Sequence, residues 1–295
     1  MNSLLSLFRQ KGRNDSVTNT LFIGYLDRPT FLHRLSGSTK LIGFISFSII
    51  GMITFDTRFL LGILIMSLFL FYQAQIKYRE VALIIQVIIA FAVFNLLMVY
   101  VFNPSYGMQI YGTQHLIFGS SKQYFNLSWE ELFYLFNLLL KYVFAVPLAL
   151  IFLLTTNPSE FAASLNKIGL SYRISYAVEI ALRYIPTVQR DYRTISLAQQ
   201  ARGYEMSKKA SFRQRISGAV RILLPLIFTS LERIEVISQA MALRRFGRSK
   251  KRSWYMARPF KTADYLSLVV IMIWIILGIY LFKVNQGRFW NPFKN

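Results

Sequence analysis

Apolar residues in this chain fall into uninterrupted runs, at 41–55, 59–75, 81–102, 132–155 and 265–282, rather than alternating with polar ones. A helix needs about 20 apolar residues to cross the roughly 30 Å hydrocarbon core of a bilayer, so the runs predict about five transmembrane helices. The first two are short. They predict either a tight hairpin about Asp56, Thr57 and Arg58, or a first span lengthened by the amphipathic stretch before it. Between the fourth and fifth runs the pattern changes. Residues 174–204 and 212–246 interleave apolar positions with charge, and Leu224, Ile227, Leu231, Ile234, Ile237 and Met241 recur at helical spacing. This predicts long amphipathic helices that lie at the membrane surface and pack on one another, with Pro186 and Pro225 kinking or restarting them. Pro158 and Glu160 mark a further helix start, capped by Ser159 or Asn157.

Composition agrees with a membrane as solvent: 54% of the 295 residues are hydrophobic and mean hydropathy is +0.40. Formal net charge is +21, and its placement sets an orientation. Arg9, Lys11, Arg13, Arg28, Arg34 and Lys40 precede the first run, Lys77 and Arg79 separate the second from the third, and 20 of the 34 basic residues lie in 156–263 against six acids. The loop 103–131 has Lys122 as its only basic residue. Basic residues collect on the cytoplasmic side, so the N-terminus is expected inside a cell membrane and that loop outside. The expected architecture is all-α and polytopic. It comprises a cytoplasmic N-terminal segment (1–40), transmembrane helices 1 to 4 (41–155), cytoplasmic-side coupling helices (156–263) and a last span with a tail (264–295).

Two amphipathic helices end alike. Aligning residues 198–204 with 240–246 places Ala198 on Ala240, Arg202 on Arg244 and Tyr204 on Phe246, and upstream Thr187, Ile195 and Ser196 fall on Thr229, Ile237 and Ser238. Arginine is permanently charged and carries a planar fork of donors. At a helix end it either caps its own carbonyls or grips a partner's carboxylates, and a matched pair weighs toward the partner. At these residues the chain resembles the T component of energy-coupling factor (ECF) transporters, marked by two Ala-Arg-Gly-like triplets at the ends of coupling helices. Ala201, Arg202 and Gly203 match in full, whereas Leu243, Arg244 and Arg245 keep only the middle arginine. Residues 31–35 with 39–41, and 155–161, are also similar to the family, although Ser36-Gly37-Ser38 stands where Asp-Pro-Arg is usual. The resemblance spans about Gly24 to Leu281. It implies a scaffold docked through these triplets to two ATPase subunits, identical or different, and beside them to a substrate-binding membrane S component that imports a vitamin or metal ion.

Other classes fit less well. There is no Gly-x-x-x-x-Gly-Lys-Ser/Thr phosphate loop, so ATP hydrolysis is expected on partner subunits and no cofactor on this chain. With no cysteine there is no disulfide or thiolate metal site, and His33 and His115 are too far apart in the topology to share a metal. A membrane enzyme would need convergent acids, and a secondary transporter needs interrupted spans with polar groups at the midplane. Lys141 inside the fourth run would cost about 2.5–3.5 kcal/mol if unpaired, so it faces protein or snorkels. The cluster Arg244, Arg245, Arg248, Lys250, Lys251 and Arg252 suits anionic lipid headgroups, and no nucleic acid is expected because the neighbouring aromatics sit in apolar stripes. The orientation is directly testable in a chain without cysteine. An impermeant thiol reagent applied to intact cells should label a cysteine introduced at Ser120 and spare one at Ser211; the reverse pattern would invert the topology.

Overall fold

The computed structural model describes residues 28–118, 126–204, 212–248, 253–254 and 257–293. Arg9, Lys11, Arg13, Ser120, Lys122, Glu205, Ser211 and the stretch Lys250 to Arg252 lie outside the described residues. Among the described residues the fold is all-α apart from one short hairpin. The elements are α1 (Phe31–Arg34), α2 (Gly37–Ile53), α3 (Thr57–Gln73), α4 (Tyr78–Phe102), α5 (Tyr106–Tyr111), β1 (Leu116–Phe118), β2 (Leu127–Ser128), α6 (Trp129–Thr155), α7 (Pro158–Lys167), α8 (Tyr172–Ala201), α9 (Phe212–Leu243) and α10 (Thr262–Val284). They divide into two compact units, residues 158–257 and the remainder.

The first unit is a polytopic membrane bundle. Three of its helices, α4, α6 and α10, are long and apolar enough to cross a membrane, and α2 and α3 are shorter apolar helices of 17 residues each. At 1.5 Å per residue 17 residues reach only about 25 Å. Both readings of the short runs hold together: Thr54 to Asp56 form a tight connection, and α2 starts at Gly37, four residues before the hydrophobic run. Ser36 caps that start, its hydroxyl accepting from Thr39 N–H.

Helix α6 is the centre of the bundle. It packs on α2, α3, α4 and α5, and half of its most apolar window is buried, against 11% for α4 and α10. The core joins Phe47, Phe59, Leu60, Ile63, Leu140, Phe144, Leu148 and Ile271. Lys141 faces protein: its Nζ donates to Met52 O at 2.6 Å, closing a carbonyl at the α2 C-terminus, and lies 3.1 Å from the Phe55 ring centroid.

The loop 103–131 holds more structure than its sequence suggested. It contains α5 and the antiparallel β1–β2 pair, and α6 begins at Trp129, three residues before the apolar run. Glu130 and Glu131 occupy the first turn of α6 and are fully buried. Glu131 accepts from Gly107 N–H at 2.6 Å, and Glu130 pairs with His115 at 2.7 Å. Hydropathy read these carboxylates as a boundary because it counts charge and cannot see partners such as the Gly107 amide and His115. The same applies to Asp264, buried in the first turn of α10, which accepts from Ser36 N–H, Thr39 Oγ1–H and Lys261 N–H at 2.7, 2.9 and 2.9 Å.

In the second unit α7 packs on α8 and α8 on α9. Small buried residues, Ala162, Ala163 and Ser164 of α7 and Ser175 of α8, allow close approach. Pro158 opens α7 with Glu160 in its first turn. Pro186 and Pro225 restart nothing, for the helices continue through both. Pro225 lacks the N–H that would bond Arg221 O, and Gln199 Nε2 of α8 donates to that carbonyl at 3.5 Å.

The inward face of α9 differs from the expected stripe. Ile222 and Leu226 are buried, and Ser230, Arg233, Ile237 and Met241 continue the line half-buried, whereas Leu224, Ile227, Leu231 and Ile234 are exposed. Arg233 takes an inward place because it pairs with Asp191 of α8 at 3.0 Å. That ion pair satisfies a charge the hydrophobic pattern would have put outside.

Tight packing in the bundle gives a direct test. A Cβ on Gly51 would lie 2.3 Å from Phe144 Cζ, and Phe144 is fully buried. Gly51→Ala should destabilise the purified protein by about 1–3 kcal/mol, the usual effect of overpacking. Adding Phe144→Leu should recover part of that loss in a thermal-denaturation assay, although either change alone is destabilising.

Candidate functional site

Helices α8 and α9 form an antiparallel hairpin braced along its length. Gln199 meets Arg221, Asp191 meets Arg233, and Tyr176 packs on Phe246 with ring centroids 4.6 Å apart. Arg173 Nη2 also donates to Gly247 O at 3.4 Å. As one helix number rises the partner number falls, so the C-terminus of α8 and that of α9 lie at opposite ends of the hairpin. A 30-residue helix spans about 45 Å, which sets the scale of their separation.

The six residues singled out in the sequence occupy these two ends, and the ends have the same backbone. In the first, Arg202 N–H donates to Ala198 O, Gly203 N–H to Gln200 O and Tyr204 N–H to Gln199 O at 3.3, 2.9 and 3.2 Å. In the second, Arg244 N–H donates to Ala240 O, Arg245 N–H to Ala242 O and Phe246 N–H to Met241 O at 3.2, 2.9 and 2.9 Å. Every donor and acceptor is displaced by 42 positions, the offset of the sequence alignment. Both are closed by a residue in the left-handed region, Gly203 at φ 85° and Arg245 at φ 54°. Thus Ala201, Arg202 and Gly203 form one cap, and Leu243, Arg244 and Arg245 the other.

Backbone amides supply these capping bonds. The side chains of Arg202, Arg244 and Arg245 are exposed and, among the described residues, have no hydrogen-bonded or ionic partner. The aromatic after each cap fixes the turn to the hairpin. Tyr204 lies under Arg221, whose guanidinium carbon is 4.5 Å from the ring centroid. Phe246 enters a cluster with Tyr172, Tyr176 and Trp254, and Trp254 Nε1 donates to Asn166 Oδ1 at 3.1 Å. Beside the second cap a cavity of about 390 Å³ is lined by Tyr176, Arg183, Tyr184, Met241 and Arg244 among others. Arg183 and this cavity were missed in the sequence, because only the antiparallel pairing brings residue 183 near 244.

No group of three or more His, Asp or Glu able to hold a metal ion occurs among the described residues. The geometry offers instead two exposed cationic tips on one braced hairpin, each able to engage a carboxylate by two parallel hydrogen bonds.

Over residues 29–254 the chain matches the family described as CbiQ, cobalt transport protein. That span includes both caps. No curated protein matches the chain.

The left-handed arginine yields a measurable contrast. A non-glycine residue in that region costs roughly 1–2 kcal/mol relative to glycine. Gly203→Ala should therefore lower unfolding stability by about 1 kcal/mol, and Arg245→Gly should raise it by a similar amount. Chemical denaturation followed by hydrogen exchange at Arg202 and Phe246 would check both signs.

Proposed function

The chain belongs to the CbiQ family of cobalt transport proteins, and we propose that it is the transmembrane coupling subunit of an ECF-type, ATP-driven importer. It is a membrane protein of a transport family. In this reading it links two ATPase subunits to a substrate-binding membrane protein and carries no ATP hydrolysis itself. The cargo is a micronutrient, a vitamin or a metal ion; the family description favours cobalt ion.

The observation that carries this reading is the repeated cap. A rigid hairpin with equivalent cationic tips at its two ends, tens of ångströms apart, suits two separate docking grooves better than one. Unlike flanking residues at the tips, Ala201 and Gly203 against Leu243 and Arg245, suit two different ATPases. When ATP draws the ATPases together, force applied at both tips would move α8 and α9 against each other as levers.

Two further features support the assignment. Leu224, Ile227, Phe228 and Leu231 form an exposed apolar face on α9, suited to a membrane partner such as the substrate-binding protein. Basic residues cluster in this unit, which the reading places on the cytoplasmic side of the cell membrane, near anionic headgroups.

The experiment is a charge deletion at both tips. Arg202→Ala and Arg244→Ala should each weaken ATPase co-purification, by roughly 2–5 kcal/mol if the partner carboxylate is left buried, and the double variant should abolish uptake. Lysine should rescue only in part, since an ammonium lacks the two-pronged geometry. The bundle should remain folded, because neither side chain makes an internal bond among the described residues. Full assembly and uptake by the double variant at matched expression would defeat the proposal.

A further inference from the structure

The membrane bundle contains a groove of about 340 Å³ that none of the preceding functions uses. Its walls come from five elements: α1 and the start of α2, the last turns of α3 and α6, and the first turns of α10. Phe31, Leu35, Phe44, Phe69, Phe152 and Val270 are among the lining residues. Three polar residues also reach it, and each is satisfied within the protein. Thr39 Oγ1 donates to Asp264 at 2.9 Å, Lys40 Nζ to Thr155 O at 2.7 Å and Ser267 Oγ to Ala263 O at 2.8 Å. An occupant therefore finds hydrocarbon walls and no polar group in need of a partner.

Depth and charge narrow the choice. Along α2 the lining runs from Thr39 to Phe47, about 12 Å at 1.5 Å per residue, close to half of the roughly 30 Å hydrocarbon core. The groove thus lies in one half of the bundle, open along exposed Phe69, Leu266 and Val270, and reaches about the depth of a single leaflet. At that end of the bundle the flanking segments carry exposed Arg34, between lining residues Leu32 and Leu35, and exposed Lys261, five residues before Leu266. The acid of that region, Asp264, is 1% exposed and its carboxylate is held by amides and Thr39. Exposed basic residues at the same end as an apolar slot about one leaflet deep complement an anionic lipid.

We propose that the groove holds one acyl chain of an anionic phospholipid, with its phosphate at Arg34 and Lys261. The chain would fill the space between α2, α3 and α10 and tie the basic end of the bundle to its leaflet. This inference does not depend on the docking role of the arginine tips.

The test uses the full chain in vesicles of phosphatidylcholine and phosphatidylglycerol, doped with a photoactivatable diazirine on one acyl chain of either lipid. Adducts are mapped by mass spectrometry. With the phosphatidylglycerol probe, labelling should concentrate on peptides bearing Phe44, Phe69 and Val270, above the lipid-facing positions Val87 and Ile89 of α4. Val270→Trp, at a position 41% exposed, should remove that excess by filling the slot, while Ile273→Trp on another exposed part of α10 should not. Arg34→Gln and Lys261→Gln should each lower it about fivefold, the effect of one cation at a membrane surface. Equal labelling of groove and α4 positions, or of the groove by both probes, would overturn the inference. So would groove labelling that disappears in membranes containing the assembled transporter, since a partner's apolar side chain would then be the occupant.

Discussion

Helix ends in or near hydrocarbon must be closed from within the protein, and in the membrane unit side chains of the appropriate charge do this at end after end. Three C-termini are met by cations. Lys141 donates to Met52 O at the end of α2, Lys40 to Thr155 O at the end of α6, and Arg28 to Gln75 O just past α3. The N-termini are met by acids: Asp56 caps α3, Glu131 binds the first turn of α5, and Asp264 bonds amides at the starts of both α2 and α10. Because most of these partners come from other helices, each bond also fixes which helix lies beside which. The close fit of Phe144 on Gly51 fixes register within the core, and these charge-to-terminus contacts fix it at the helix ends.

The second unit follows a different rule. Its two principal helix ends are closed by their own backbone, which leaves Arg202 and Arg244 exposed. Stiffness comes from the Asp191–Arg233 pair, from Arg221 over Tyr204 and from the aromatic cluster around Phe246. A hairpin braced at both ends and the middle is suited to pass a push at one tip to the whole, as the proposed coupling role needs. The coupling role proposed above would require this property, since a flexible connection would absorb the displacement.

What could be read from sequence follows from what each signal measures. The spans were legible because hydropathy counts apolar residues and the bilayer demands them in unbroken runs. The two caps were legible as an alignment because a Schellman-like ending fixes side-chain types at set offsets, and the shared offset of 42 positions reappears bond for bond. The inward face of α9 was not legible. Leu224, Ile227, Leu231 and Ile234 look like a core stripe, yet Ser230 and Arg233 face inward because Asp191 and the α8 surface satisfy them. Glu130, Glu131 and Asp264 were likewise passed over, as their roles depend on partners from elsewhere in the chain: His115 before β1, Gly107 of α5 and Ser36 before α2. The apolar groove needs five separate segments at once, so no local pattern could announce it.

The two units also differ in how far they obey local preference, and that difference bears on function. In the membrane unit buried charges find partners and small residues sit where helices close. In the second unit Arg245 holds a left-handed backbone that glycine would adopt at lower cost, and an apolar face of α9 stands exposed beside guanidinium groups with no internal partner among the described residues. Departures from local consistency are expected where a protein trades stability for a site. If Arg245 served only the fold, glycine, as at Gly203, would serve better. Its charge in that strained place, next to Arg244 at the tip of a braced hairpin, is understandable when the tip is completed by another protein. The same holds for the exposed face of α9: as the surface of an isolated subunit it is an unmet burial, and in the assembled transporter proposed above it would be an interface.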